Sequence, residues 1–282
     1  VSAGGRVVVF GGRSGDTTLN TTLLLDTRTM AFTAGPDMLS ARSGCAAVQL
    51  DADRVLVVGG SNGAPLNTTE IFHLSTLTFT PGPSMRSARF GLAAVALDAR
   101  RILAVGGINE GSSLSSTETL SLDTMAFTPG PTMIAPRGGC AAVALDEHRI
   151  MVACGNSGSE PLNTTEILDI RTMAFAPGPS MSSARDGCAA VPVDAQHVLI
   201  IGGMDSTGEA LATTEVLDLA ANKFVPGPTM RTARSSCAAA RLGATDGQPR
   251  ILVIGGCDGR TDLSTTEVLA VEDQREAPRR RL

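Results

Sequence analysis

The chain has 282 residues and a formal net charge of −5, with one lysine, Lys223, among 23 basic residues. Its only basic block is the terminal Arg279-Arg280-Arg281, so a nucleic-acid partner, which needs a stripe of phosphate-binding cations, is not expected. No apolar run approaches the roughly 18 residues of a membrane span, and no leader is visible, although a chain opening at Val1 leaves room for one already removed.

In chain order, an apolar run ending in a small pair recurs: VVVFGG to Gly12, VLVVGG to Gly60, ILAVGG to Gly107, IMVACG to Gly155, VLIIGG to Gly203 and ILVIGG to Gly256. The runs begin near residues 7, 55, 102, 150, 198 and 251, and their ends are spaced by 48, 47, 48, 48 and 53 residues. A variable loop follows each run and leads to a Thr-rich strand such as TTEIFHL from Thr68. A short strand around Phe32, Phe79, Phe127, Phe175 or Phe224 comes next, then Gly-Pro, a Met, an Arg, and a small-residue strand such as GCAAVAL from Gly139. These segments are short, β-branched or small, and bounded by Gly, Pro, Asn or Asp, which are strand signals. No stretch sustains a helical period. Four strands per repeat predict an all-β fold, a β-propeller of about six four-stranded blades, as one domain over residues 1–282.

Both ends break the pattern. Val1-Ser2-Ala3 matches only the tail of an inner strand, and VEDQREAPRRRL matches LAANKFVPGPTM with Glu276 where Phe224 stands. The last outer strand is thus expected to be degenerate, and the natural chain to continue beyond one end and supply a closing strand.

The order Arg, small-residue inner strand, strand closing on Gly-Gly, strand bearing Glu, then aromatic outer strand and Met resembles the kelch repeat, over essentially residues 1–282. The resemblance implies a propeller that serves as an interaction module, a scaffold or a substrate-recruiting domain. Two departures stand out. The Tyr that usually follows the Glu is Leu or Phe72, and the Trp of the fourth strand is Phe, because the chain has neither Tyr nor Trp. Both exchanges keep an apolar plug and lose a polar handle.

Five arginines, Arg42, Arg89, Arg137, Arg185 and Arg234, open the inner strands and are expected to ring one mouth of the channel. Five glutamates, Glu70, Glu118, Glu166, Glu215 and Glu267, follow them by 28 to 33 residues. The first repeat lacks the Arg and has Leu23 in the Glu column, which suggests a pair inside each blade. Two roles follow: a semi-buried pair that orients strands, or an anion-binding mouth for an acidic peptide, as in similar kelch domains. A guanidinium has donors enough for both.

Residues that break the repeat at loop positions are the ones the fold does not dictate. On the expected mouth these are Phe90, Asp186, Asn109, Asp205 and Arg260. Phe90 either packs on a neighbouring blade or anchors a partner. The expected partner is a protein or an acidic peptide, with no nucleic acid and no membrane, and no cofactor or metal is implied.

Cys45, Cys140, Cys188 and Cys237 share a column that Leu92 also fills, and Cys154 and Cys257 are extras. A column that takes Cys or Leu reads as buried reduced thiols, favouring an intracellular, cytoplasmic setting. Enzymatic signals are thin. His73, His148 and His197 are dispersed, the Cys/His spacing fits no zinc pattern, and the lack of Tyr removes the radical residue of a kelch-like copper oxidase. The alternative reading is a carbohydrate-related enzyme or lectin using the channel mouth. The sequons at Asn20, Asn67 and Asn163 read as by-products of the repeated turn.

Overall fold

The computed structural model describes residues 1–3, 5–245 and 248–271. All regular structure in it is strand, arranged as six blades. The second blade shows the plan: an inner strand Ala46–Gln49, then Arg54–Val58, Thr69–His73 and an outer strand Thr78–Pro81, each antiparallel to the next. The third, fourth and fifth blades repeat it from Ala93–Asp98, Ala141–Ala144 and Ala189–Pro192 outward. In the first blade the inner strand is Ser2–Ala3, paired with Arg6–Phe10.

The sixth blade has three described strands, Ala238–Thr245, Gln248–Ile254 and Thr266–Ala270. Its longer spacing in sequence comes from an extended inner hairpin, whose strands run to 8 and 7 residues where most others have 4 to 6. The degenerate outer strand expected around Glu276, and Arg279-Arg280-Arg281, lie outside the described residues.

A blade this thin cannot bury a core of its own, so the apolar residues of each strand face the neighbouring blades. Six buried clusters result, one in each seam. Leu56, Val58 and Ile71 of the second blade meet Ile102, Ala104 and Leu120 of the third. Where Tyr and Trp are missing, Phe10, Phe72 and Phe79 fill the first seam with ring centroids 4.8 to 6.0 Å apart. The last seam joins Leu242 and Leu252 to Val7 and Leu25. Among the described residues, polar contacts crossing it include Ser2 Oγ donating to the Arg241 carbonyl at 3.2 Å, the Gly15 N–H donating to Asp262 Oδ2 at 2.9 Å, and Arg13 Nε 3.8 Å from the same oxygen.

In the first five blades the small pair ending the second strand is a backbone contact with the next blade. The second glycine's N–H donates to the arginine carbonyl of the next blade at 2.8 Å, as in Gly60 to Arg89 and Gly107 to Arg137. The first glycine is left-handed, and a Cβ on Gly59 would lie 2.5 Å from that same carbonyl oxygen. A Cβ here must be accommodated against that carbonyl, and five of the six repeats avoid it with glycine.

The expectation of reduced thiols holds for three cysteines of the shared column, Cys45, Cys140 and Cys237, and fails for the fourth, Cys188. Cys154 and Cys188 form a disulfide across the fourth seam, while Cys45, Cys140, Cys237 and Cys257 are free. Cys154 stands in the first-glycine column and faces the shared cysteine column of the next blade, so the cysteines do not argue for a reducing compartment. The free thiols of Cys45, Cys140 and Cys237 are pushed up to about 11 by burial.

Candidate functional site: the channel mouth

The loops between second and third strands open on the same face as the loops before the inner strands. Short bridges join them in five blades: Ser43 with Ser61, Phe90 with Ile108, Gly138 with Asn156, Asp186 with Met204, and Ser235 with Cys257. Within this face Gly44, Gly91, Gly139, Gly187 and Ser236 form an arc around the channel. Each N–H donates to the preceding member's carbonyl, at 2.7, 2.7, 3.0 and 2.6 Å in turn. Their φ values of 53° to 66° are left-handed, and a Cβ on Gly44 would crowd the Gly91 nitrogen at 3.1 Å. The arc is thus a rigid backbone floor for whatever enters the mouth.

The five arginines lie beneath that floor, and of the two roles open to them their geometry is that of the strand-orienting pair, not of an anion-binding mouth. Arg42, Arg89, Arg137, Arg185 and Arg234 are each 1% exposed. The Arg42 Nη1 donates to the carbonyls of Gly59 and Thr68 at 2.8 and 2.9 Å, Nη2 to Thr68 Oγ1 at 3.0 Å, and Nε to Glu70 Oε1 at 3.0 Å. Glu70 Oε1 also lies 3.0 Å from Nη2. All donors of the guanidinium are engaged, so none is left for an anion. The partners are in the same blade, as the shared absence of Arg and Glu from the first repeat suggested.

The glutamates do a second job. Glu70 accepts the N–H groups of Leu39 and Ser40 at 2.7 and 2.9 Å, and Glu166 those of Ile134 and Ala135 at 2.7 and 3.0 Å. Each Arg–Glu pair therefore clamps the crossover that enters its blade. Arg89 differs in one respect: its Nε is buried without a partner.

The repeat-breaking residues separate by surroundings. Phe90 is half-buried, its ring edge 3.7 Å from where a Gly44 Cβ would stand, so it leans over the floor from the third blade toward the second. Asp186 leans likewise from the fifth blade over Gly139. Burial holds its carboxyl above the ordinary carboxylate value, the Gly187 N–H opposing, and among the described residues no cation is paired with it. Asp205 is occupied: it accepts from the N–H groups of Thr207 and Glu209 at 2.8 and 3.1 Å, and the Thr207 hydroxyl holds its carboxyl below the usual range. Asn109 sits in a short hairpin, Ile108–Asn109 with Ser112–Ser113, and Arg260 is exposed at a loop tip of the sixth blade.

With the five arginines neutralised, the charge of this face changes sign from the expectation. Its loops carry Asp16, Asp37, Glu110, Glu160, Asp186, Asp205, Glu209, Asp258 and Asp262 against Arg13, Arg86, Arg231 and Arg260. On the opposite face carboxylates are matched locally, as in Asp51–Arg54, Asp98–Arg101 and Asp146–Arg149, each at 2.7 Å. His73, His148 and His197 are also on that opposite face, at strand ends and turns. Among the described residues no group of three or more His, Cys, Asp or Glu side chains gathers as a metal set.

Sequence reasoning named the Arg–Glu pair but left its role open, because the carbonyls that engage the remaining arginine donors come from loop backbone and leave no mark on residue identity. It also missed the disulfide, whose signal was present: a Cys in a column that is otherwise Gly. The chain matches no curated protein. Residues 1–179 match the family model described as the KLHDC2/KLHL20/DRC7 Kelch-repeats domain, and residues 187–231 match the Kelch motif. With the six-bladed ring and the repeated Arg–Glu clamp, this places the chain in the kelch-repeat family.

Proposed function

We propose that this propeller is a protein-binding module whose mouth takes a partner segment carrying one cationic and one apolar side chain. Kelch-repeat propellers generally mediate protein–protein contact. The observation that carries the finer reading is the half-buried, unpaired carboxylate of Asp186 on the same backbone floor as the ring of Phe90. A lysine or arginine would relieve the cost of burying that carboxylate alone, while Phe90 offers an aromatic surface to an apolar neighbour. Asn109 and Arg260 on the rim would select among such segments, and Asp205 would shape its own loop. An acidic peptide fits less well, since it would face the surplus of carboxylates and reach no free guanidinium of the clamps. A sugar-processing site would need acid–base partners near Asp186, and the three histidines are on the other face.

The test is an array of peptides that vary charge and apolar content, probed with the chain and ranked by affinity. Segments pairing a basic with an apolar residue should bind best, and more tightly at low salt than at high salt. Phe90→Ala should weaken binding by about 1–2 kcal/mol. Asp186→Asn should abolish the preference for a basic residue, with His148→Ala on the opposite face as the control. Selection of acidic segments, or binding indifferent to both mouth substitutions, would refute the assignment.

A further inference from the structure

The disulfide is tied to the mouth by its position in the repeat. Cys154 has φ 62°, the left-handed value of the glycines that fill its column in the other repeats, such as Gly59 at 61° and Gly106 at 59°. From that conformation a Cβ points across the seam. Built on Gly106 it would lie 3.2 Å from the Cys140 Sγ, and built on Gly59 it would lie 3.2 Å from Leu92 Cδ2. In these two repeats the column brings a Cβ beside the residue that follows the mouth glycine of the next blade. In the fourth repeat alone the aimed side chain is a thiol, and its target is Cys188.

Cys188 directly follows Gly187 of the mouth arc and stands two residues after Asp186. Cys154 directly precedes Gly155, whose N–H holds the Arg185 carbonyl at 2.8 Å. Bond and hydrogen bond together pin residues 185–188 to the fourth blade. We propose that Cys154 and Cys188 are a reversible redox staple: oxidised, it fixes the fifth-blade side of the mouth, and reduced, it lets that segment move.

The chemistry is thiol–disulfide exchange with a small-molecule disulfide such as oxidised glutathione. The thiolate of one cysteine attacks the oxidant, forming a mixed disulfide and expelling one thiolate. The thiolate of the second cysteine then attacks the protein sulfur of that mixed disulfide and expels the other. The protein gives up two protons and two electrons, and the oxidant becomes two thiols. Cys45, Cys140, Cys237 and Cys257 remain free, and the bond joins the two thiols that the fold brings together. Cys45, Cys140 and Cys237, raised to about 11 by burial, hold almost no thiolate near neutral pH. Cys140, for one, faces Gly106 across its seam and has no thiol opposite it.

The test uses the whole chain equilibrated with oxidised glutathione. Digestion without reductant should give a Cys154–Cys188 cross-linked peptide, and denaturing alkylation should label the other four cysteines. Adding dithiothreitol should lower the Tm and speed amide exchange of residues 185–188 by about tenfold or more, as local opening becomes easier. Cys154→Gly, which restores the repeat's own residue, should fold and be indifferent to dithiothreitol. Cys188→Leu, which copies Leu92 of the third blade, serves as a second bond-free variant. Six alkylatable thiols in the oxidised protein, or equal exchange at 185–188 in both redox states, would overturn the proposal. Neither outcome bears on what binds the mouth.

Discussion

Glu166 shows how much one side chain holds. It pairs with Arg137 at 3.1 Å and accepts two crossover N–H groups, with both charged side chains 3% exposed or less. Glu166→Ala would leave a buried cation and two orphaned donors, and should cost about 3–5 kcal/mol of unfolding free energy. Glu166→Gln, which can still accept, should cost less, and an unchanged Tm for the alanine variant would refute the clamp. Arg137→Ala should lower stability similarly, so a loss of binding in that variant reports unfolding and not a lost ligand contact. Asp186 carries the pH dependence of the mouth. Its carboxyl is raised by burial, so the ionised form that attracts a cation is lost as pH falls through a value above the ordinary 3.8. Titration of partner affinity between pH 7 and mildly acidic pH should show a decline that Asp186→Asn lacks. Columns of identical residues made Arg and Glu visible in sequence, but which face of the blade they turned to depended on backbone groups that sequence does not display.

At the scale of single elements, the strands were the most legible part. Glycine, proline and aspartate mark their ends because turns need left-handed or self-capping residues. The inner hairpins show it: Asp51, Asp98 and Asp146 each accept an N–H two residues on and the Nε of an arginine three residues on. Burial acts to raise these carboxyls, yet the N–H groups and arginines outweigh it and hold them below the usual value. A depressed folded-state pKa gives stability that is present above the unfolded value, about 3.9, and is lost as pH falls through the folded one. Thermal unfolding should therefore be insensitive to these turns between pH 7 and 5 and weaken below about pH 4. Asp98→Asn should remove part of that acid dependence, measured as the slope of Tm against pH. Less legible were the short bridges that tie the mouth loops together, such as Asp186 with Met204. They resume, in the same register, the pairing of each blade's inner and second strands, as Ala189 pairs with Ile201, beyond an interruption that residue identity does not mark.

For the molecule as a whole, period and strand content together specified a ring of blades, and circular dichroism should report β structure with helix far below a quarter of residues. Because every core lies between blades, contacts in five seams join residues roughly one repeat, about 48 positions, apart. The sixth is different. Ser2 and Arg241 are 239 positions apart, and Gly15 and Asp262 are 247 apart. Closure entropy grows as (3/2)RT ln n, so joining this seam costs about 1.4 kcal/mol more than a seam between successive repeats. Those contacts should exchange their amide hydrogens fastest among the seams and be the last to form on refolding. The circle therefore has a clasp: five joints are made as each blade meets the one before it, and one is fastened only when the two ends of the row have found each other.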